Sequence, residues 1–171
     1  MTSPVNETEY RELSNFLFIE ADLLSEQDYV AWEKLLAEDL HYIIPIPQFQ
    51  EQKGARQIGT IGTDNYNDDI DSMRIRLNLL KNPATTTSER IHSLLNHVVS
   101  NVLVNKAGDG EYECKSTITV HRTRFNQKNP TIISGRRTDL IRRTEQGFQL
   151  VKRHVKLDQA ILMTSNVSYF F

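Results

Sequence analysis

The feature that most constrains this chain is a run of four long β-rich segments between Arg90 and Leu157, separated by three short turns. Turn-forming residues cluster at 105–110, 126–130 and 144–147. Clusters this short join consecutive strands as hairpins, and successive hairpins make an antiparallel meander. The helical periodicity precedes this region. We therefore expect an α+β fold in which N-terminal helices pack in a strongly curved, mainly antiparallel, cone-shaped sheet.

The sequence patterns of two strands indicate which face of the sheet is buried and where the sheet bends. From Tyr112 to Phe125 apolar or small residues alternate with polar ones, which predicts one buried face and one face in water. In the last strand the apolar residues occupy even-numbered positions up to Leu150 and odd-numbered positions from Val151 onward, which is a change of parity. A change of parity requires a bulge or a switch of face, so we expect this strand to bend strongly.

Three helices are predicted in the first half of the chain. Apolar residues at helical spacing predict one helix from Glu7 to Leu24 and a short second helix after the polar cap candidates of 25–28. Trp32 of the second helix is expected in the core. A third helix is predicted from Asp64 to Leu80, with the acidic residues of 68–71 in an early turn.

The segment between the second and third helices has weaker patterns. The β-branched and aromatic residues from Leu40 to Ile46 predict one short edge strand, which Pro45 and Pro47 should end. The stretch 48–63 has three glycines and little periodicity, so it is interpreted as a long loop with a weak strand near Ile58 and Ile61. Loops of this length are often functional.

Length and composition favour one domain over residues 1–171, because 171 residues with 39% hydrophobic content can fill one core. No apolar run approaches the ~20 residues of a membrane helix, and the first residues lack the blocks of a signal peptide. We expect a cytoplasmic protein. Cys114 is the only cysteine, which excludes an intramolecular disulfide and thiolate-rich metal sites within this chain. We expect it to be a buried, inert thiol.

The net charge of -2 conceals an asymmetry between the two parts of the chain. Residues 1–89 hold 16 Asp and Glu against 7 Lys and Arg, whereas residues 111–157 hold 4 acidic against 11 basic residues. Two interpretations stay open. The charges can offset each other within one molecule, or the basic sheet can dock an acidic partner. Nucleic acid is a weaker candidate, because no RNA-binding signature or interleaved aromatic pattern is present.

Searches for catalytic motifs find little. The five histidines form no HExxH or HxH pair, and no dinucleotide, nucleoside triphosphate or serine hydrolase motif occurs. One acid–base possibility is that a cone-shaped pocket gathers Asp39, His41, Tyr42 and His97, as in small isomerases and dehydratases of that shape. The alternative is that Asp39 is a turn residue, His97 a hydrogen-bonded strand residue and Tyr42 part of the core. This second interpretation is favoured.

The order of several short motifs resembles one family over nearly the whole chain. The layout resembles the nuclear-transport-factor-2-like (cystatin-like) fold, and the residues resemble one branch of it, the small (β) subunit of aromatic-ring-hydroxylating dioxygenases. The last strands and tail are the most specific part. The matching segments are 18–24, 29–32, 39–45, 74–76, 88–92, 99–102, 135–143, 148, 155–158, 166–168 and the final aromatic pair.

This resemblance implies a single nuclear-transport-factor-2-like domain over 1–171 and a heterohexamer of three large (α) and three small subunits. The large subunit would carry the Rieske [2Fe–2S] cluster and the non-haem iron that dihydroxylates an aromatic compound during its catabolism, with electrons from NAD(P)H through a separate chain. The small subunit would form a trimer, bind no cofactor or metal and hold no catalytic residue. The alternative is a stand-alone isomerase or dehydratase that uses Asp39, His97 and Tyr42.

Overall fold

The computed structural model describes residues 3–52, 55–81, 93–124, 128–159 and 170–171, and between residues 46 and 65 it describes the backbone alone. Ten elements follow one another along the chain. They are β1 (Ser3–Pro4), α1 (Glu7–Ser25), α2 (Tyr29–Glu33), β2 (Leu36–Gln52), β3 (Ala55–Asp69), α3 (Ile70–Lys81), β4 (Ser93–Gly108), β5 (Glu111–Arg124), β6 (Thr131–Thr144) and β7 (Gly147–Leu157).

The strands form one curled, unclosed sheet in the order β1-β4-β5-β6-β7-β2-β3. All neighbouring pairs are antiparallel except β2 and β7, which run parallel. The α+β prediction and the meander of β4 to β7 are confirmed. Gly110 (φ 69°) and Gly147 (φ 127°) occupy the left-handed region in two of the turns, where a residue without a Cβ is needed. The third predicted turn lies partly outside the described residues.

Alternation along the strands separates an inner face, which faces the helices, from an outer face. On β5 the residues Tyr112, Cys114, Ser116, Ile118 and Val120 are buried and their neighbours are not. The core contains the apolar stripe of α1 and Trp32, which is fully buried as predicted. Burial against these layers, rather than helix propensity, stabilises such short helices.

The predicted change of parity in β7 is a bulge. Leu140 of β6 pairs with Lys152, but Ile141 pairs with Leu150, so Val151 is an additional residue on β7. Leu150 and Val151 are consecutive and both are buried. The extra residue increases the local bend and lets the sheet curl around the helices.

The helix predictions for α1 and α2 are confirmed, and their first turns show why they begin where they do. Asn6 accepts from the backbone N–H of Glu9 at 2.8 Å while the Glu9 carboxylate accepts from the backbone of Asn6, which is a capping box. Asp28 caps α2 by accepting from Ala31. Both caps satisfy backbone N–H groups that have no partner within the helix.

Three predictions for the segment between α2 and β4 are wrong. The predicted edge strand is the longer β2, which lies between β7 and β3, and the predicted loop of residues 48–63 consists largely of the paired arms of β2 and β3. Register shifts at Pro45 and Pro47 let the strand continue although these residues lack a backbone N–H. Helix α3 begins at Ile70, because the preceding residues belong to β3.

The pairing of β6 with β7 depends on a glycine. A Cβ atom at position 135 would lie 2.8 Å from the carbonyl oxygen of Lys156 and 3.2 Å from the Cα of Leu157. We expect Gly135→Ala to lower the free energy of unfolding by about 1–3 kcal/mol, because backbone atoms must move. Gly108→Ala is the matched control, since its Cβ would meet nothing closer than 3.8 Å. Urea unfolding of both variants measures the difference, and equal stabilities would contradict the prediction.

Candidate functional site

Asp39, the first acid–base candidate, lies on the outer face. Its carboxylate accepts two hydrogen bonds from Arg142, at 3.0 and 2.9 Å, and its side chain is 58% exposed. These hydrogen bonds lower the pKa of Asp39. His41 is also exposed and bonds Asn67 at 2.8 Å. A carboxylate with a lowered pKa and a bidentate arginine partner is a weak base, so the geometry gives Asp39 a structural contact.

His97 lies on the inner face of β4 and connects three parts of the chain. Its Nε2 is 3.0 Å from the carbonyl oxygen of Phe170, its Nδ1 is 3.2 Å from Oγ of Ser25, and its backbone N–H donates to the same Oγ at 2.9 Å. A carbonyl oxygen only accepts, so Nε2 carries the proton and Nδ1 is the acceptor. Burial lowers the pKa of His97 to about 4, and the ring is therefore neutral near pH 7.

Tyr42 lies on the inner face of β2 and holds the last residue of the sequence. Its hydroxyl donates to the carbonyl oxygen of Phe171 at 3.1 Å and accepts from the backbone N–H of Phe171 at 2.9 Å. Burial raises the pKa of the phenol. The structure therefore places Tyr42 and His97 around the backbone of 170–171 and places Asp39 on the opposite side of the sheet.

The ring of Phe170 fills the interior near these residues. Its centroid lies 4.6 Å from that of Trp32, and Tyr29 and Tyr42 present their rings to it nearly edge to face. The guanidinium of Arg76 lies 4.6 Å from the ring centroid. Phe170 and Phe171 are 1% and 0% exposed. Within the described part of the interior, these side chains therefore fill the space around the Phe170 ring.

A buried ionic cluster, consisting of Glu20, Arg137, Asp139 and Arg153, lies beside these aromatic residues. All four are at most 1% exposed. Arg153 donates two hydrogen bonds to Glu20, two to Asp139 and one to the carbonyl oxygen of Phe171, all between 2.7 and 2.8 Å. All five N–H groups of this guanidinium are thus satisfied, which makes burial of its charge tolerable.

The second arginine of the ionic cluster, Arg137, has fewer hydrogen-bond partners than Arg153. Arg137 donates to Ser116 at 3.1 Å and to Glu20 at 3.3 Å, and its Nη2 has no hydrogen-bond partner among the described residues. Burial, with repulsion from Arg153, lowers the pKa of Arg137. For Arg153, attraction to Asp139 and Glu20 outweighs burial and raises the pKa. Both arginines remain charged, because the intrinsic pKa of a guanidinium is so high.

Sequence reasoning missed this ionic cluster, although a signal was present. Glu20 lies three residues after Leu17 and four after Phe16, and thus on the apolar stripe of α1. Arg137 and Arg153 occupy inward-facing positions of their strands. A charged residue at an apolar position of the pattern indicates a buried partner of opposite charge.

We predict that Glu20→Gln lowers the free energy of unfolding by about 3–5 kcal/mol, because Arg137 and Arg153 would keep buried charges without their shared carboxylate. Glu12→Gln is the matched control on the same helix. Glu12 pairs with Arg143 where both side chains are more than 40% exposed, so its loss should cost less than about 1 kcal/mol. Chemical denaturation of both variants is the measurement, and a similar cost for the two would contradict the prediction.

The low pKa of His97 predicts an effect of pH on stability. In the unfolded chain a histidine takes up a proton near pH 6.5, but in the folded chain His97 does so only near pH 4. Between these values the unfolded state binds more protons, so stability falls as the pH falls and is higher above pH 6.5. We expect His97→Gln to remove about 3 kcal/mol of this pH dependence. Denaturation at several pH values tests this, and an unchanged dependence would refute it.

The outer face holds a cleft of about 430 Å³. Strands β2, β6 and β7 contribute Ile43, Thr138, Leu140, Lys152 and His154 to its lining. None of Asp39, Tyr42 and His97 lines it. The cleft therefore does not unite the acid–base candidates.

The described residues contain no group of three or more His, Cys, Asp or Glu side chains arranged to hold a metal ion. Cys114 is buried as predicted, and burial raises the pKa of its thiol to about 12. A thiol in this environment is neither a nucleophile nor a ready thiolate ligand. Within the described ranges no helix has the length and apolarity needed to cross a membrane.

Comparison with known proteins identifies the family of this chain. Residues 19–164 match the family model described as ring hydroxylating beta subunit. The chain is 35% identical to the beta subunit of biphenyl 2,3-dioxygenase from Rhodococcus jostii (strain RHA1), over 99% of this chain and 92% of that protein. It is 34% identical to the beta subunit of benzene 1,2-dioxygenase from Pseudomonas putida (strain F1), with the same two coverages.

Solved structures support the fold independently. A chain of naphthalene 1,2-dioxygenase, solved with indole in its active site, has a TM-score of 0.86 at 20% identity and covers 98% of this chain and 88% of its own. A putative scytalone dehydratase from Novosphingobium aromaticivorans has a TM-score of 0.66 at 12% identity, with coverages of 93% and 90%. These confirm the predicted nuclear-transport-factor-2-like fold.

The molecule thus belongs to the nuclear-transport-factor-2-like fold class, which it shares with the naphthalene 1,2-dioxygenase chain and the putative scytalone dehydratase. Within that class the chain belongs to the ring-hydroxylating dioxygenase beta subunits. It is therefore a small subunit of an aromatic-ring-hydroxylating dioxygenase, an oxidoreductase of several subunits with a catalytic α partner.

Proposed function

We propose that this chain is the non-catalytic small subunit of an α₃β₃ dioxygenase, and that it forms the trimer that holds the three large subunits together. The large subunit would carry the Rieske cluster and the non-haem iron, which supply electron transfer and oxygen chemistry for dihydroxylation of an aromatic compound. NAD(P)H would provide the electrons through a separate chain. Full-length similarity to beta subunits carries this proposal.

The donor chemistry of the chain supports placing the cofactors in the partner. A Rieske cluster needs two cysteines and two histidines, and this sequence has one cysteine. Of the four histidines in the described part, His97 is hydrogen-bonded inside the cone, whereas His41, His121 and His154 belong to the outer face. This arrangement does not fit either metal centre, so no step of the reaction is assigned to these residues.

The acid–base alternative is less well supported. Asp39 and His97 lie on opposite faces of the sheet, and His97 uses both ring nitrogens in contacts with Ser25 and Phe170. A general base needs a free acceptor within reach of the substrate proton. We therefore propose that Asp39, Tyr42 and His97 are structural residues.

This proposal does not specify which aromatic compound is the substrate. Two relatives of nearly equal identity are named for different arenes, biphenyl and benzene. Substrate contacts would lie in the large subunit, so similarity of the small subunit does not select between them. The proposal also takes residues 1–171 as a single domain that works in the cytoplasm.

The test of this proposal is co-expression with the large subunit of its own dioxygenase. We expect the two chains to co-purify in a 3:3 complex, and Asp39→Asn and His97→Gln to keep hydroxylation per assembled complex within a few-fold of wild type. Loss of a true general base would cost ~100-fold or more. Activity is normalised to the assembled complex, with iron and cluster content measured, because His97→Gln also removes buried hydrogen bonds.

Two results would contradict the proposal. One is a small subunit that does not associate with the large one. The other is a large fall in turnover per correctly assembled complex with unchanged iron and cluster content, which would make Asp39 or His97 catalytic.

A further inference from the structure

The outer face of β6 and β7 carries a basic stripe, which we define as Arg136, Lys152 and Lys156. Lys152 and Lys156 are four residues apart on one face of β7, and Arg136 of β6 pairs directly with Lys156. All three are exposed. None of them makes an ion pair or a hydrogen bond through its side chain with the described residues.

The pairing within the basic stripe is unfavourable in an isolated chain. Like charges directly opposite each other on neighbouring strands destabilise a sheet. Other arginines of β6 and β7 have acidic partners within the molecule. These ion pairs are Arg142 with Asp39 and Glu111, Arg143 with Glu12, and Arg153 with Glu20. Much of the basic charge of the sheet is therefore offset within the molecule, as one of the two interpretations of the charge asymmetry predicts, but the basic stripe is not.

The helical side carries a surface of opposite character, the acidic patch, which we define as Phe18, Ile19, Asp22 and Glu26. Phe18 and Ile19 are 49% and 57% exposed. Phe18, Asp22 and Glu26 follow one another at intervals of four, which places them on one side of α1. Neither carboxylate has an ion-pair partner in the described part of the chain.

The acidic patch is also unfavourably placed within one chain. Asp22 and Glu26 lie at the C-terminal end of α1, where the helix dipole favours positive charge, and the last turn has no basic residue. The chain thus has two exposed surfaces of opposite sign, each with an electrostatic cost that nothing within the described residues relieves.

We propose that the basic stripe of one copy of this chain docks against the acidic patch of the next copy in the trimer. This inference rests on the proposed function, and it identifies the two surfaces through which the small subunits meet. A contact between two different surfaces is heterologous and closes into a ring when the rotation between copies is a third of a turn. Phe18 and Ile19 supply the apolar centre that an interface needs, with charged residues around it.

The first experiment reverses each surface separately in the co-expressed complex. We expect Arg136→Glu with Lys156→Glu, and separately Asp22→Lys with Glu26→Lys, to raise the concentration at which the complex half-dissociates about tenfold or more. Neither pair of substitutions should lower the stability of the isolated chain. The reversal of the basic stripe leaves like charges opposite each other, as in the wild type, and the reversal of the acidic patch places positive charge where the helix dipole favours it. Sedimentation velocity on dilution and urea unfolding are the two readouts.

The second experiment combines all four reversals on one chain. Between identical copies the swapped signs are again complementary, so assembly should return to within a few-fold of wild type. Lys128→Glu is the matched control, since Lys128 is exposed, lies outside the basic stripe and makes no ion pair or hydrogen bond through its side chain with the described residues. It should leave assembly unchanged.

The outcomes separate this inference from the function on which it rests. If the wild-type chains form no complex, the proposed function fails. If the wild-type complex forms but the reversals have no effect, only the present inference is overturned. If the reversals weaken assembly and the fourfold variant does not restore it, the basic stripe or the acidic patch contacts the large subunit, and the inference is again wrong.

Discussion

Arg153 organises the interior of this molecule. Its five hydrogen bonds connect Glu20 of α1, Asp139 of β6 and the last residue, Phe171, to the middle of β7. A charge buried in this way is costly unless every donor is satisfied, so the helix, the two strands and the end of the sequence must take their positions together. The indole N–H of Trp32 donates to the Glu20 carboxylate at 3.1 Å and connects α2 to the same network. The arrangement favours one packing of helices against the sheet over others of similar apolar content.

In the described part of the interior, contacts within the chain use two residues of the acid–base hypothesis. The residues that could have gathered around a substrate, Tyr42 and His97, bind the backbone of 170–171, and the ring of Phe170 packs against Trp32. The outer face of the sheet and the exposed side of α1 carry the charged groups that these contacts do not use. That division is consistent with the proposed role of this subunit in assembly.

The candidate site could be predicted only in part from the sequence. The helical spacing of apolar residues placed Trp32 in the core, and the favoured interpretation of Tyr42 was also a core residue. The single cysteine limited the metal chemistry open to the chain. Periodicity could not show that Asp39 and His97 lie on opposite faces, because they belong to strands far apart in the chain and their relative side depends on the pairing of the sheet. The ionic cluster was missed for a related reason. Its members are separated by up to 133 residues in the sequence, and only packing brings them together.

The sequence by itself determined the helices α1 and α2, the meander of β4 to β7 and the bend of β7, because each depends on local patterns of capping, turns or alternation. The structure decided that this bend is a bulge at Val151 rather than a switch of face. Only the tertiary structure decided that residues 36–52 and 55–69 form a long hairpin and that β2 pairs in parallel with β7. The local pattern of these residues is weak and includes two prolines, so it does not specify long strands. Their extended conformation depends on hydrogen bonds to the neighbouring strands. The register of the β6–β7 hairpin likewise set Arg136 opposite Lys156, which the alternation within either strand alone does not show.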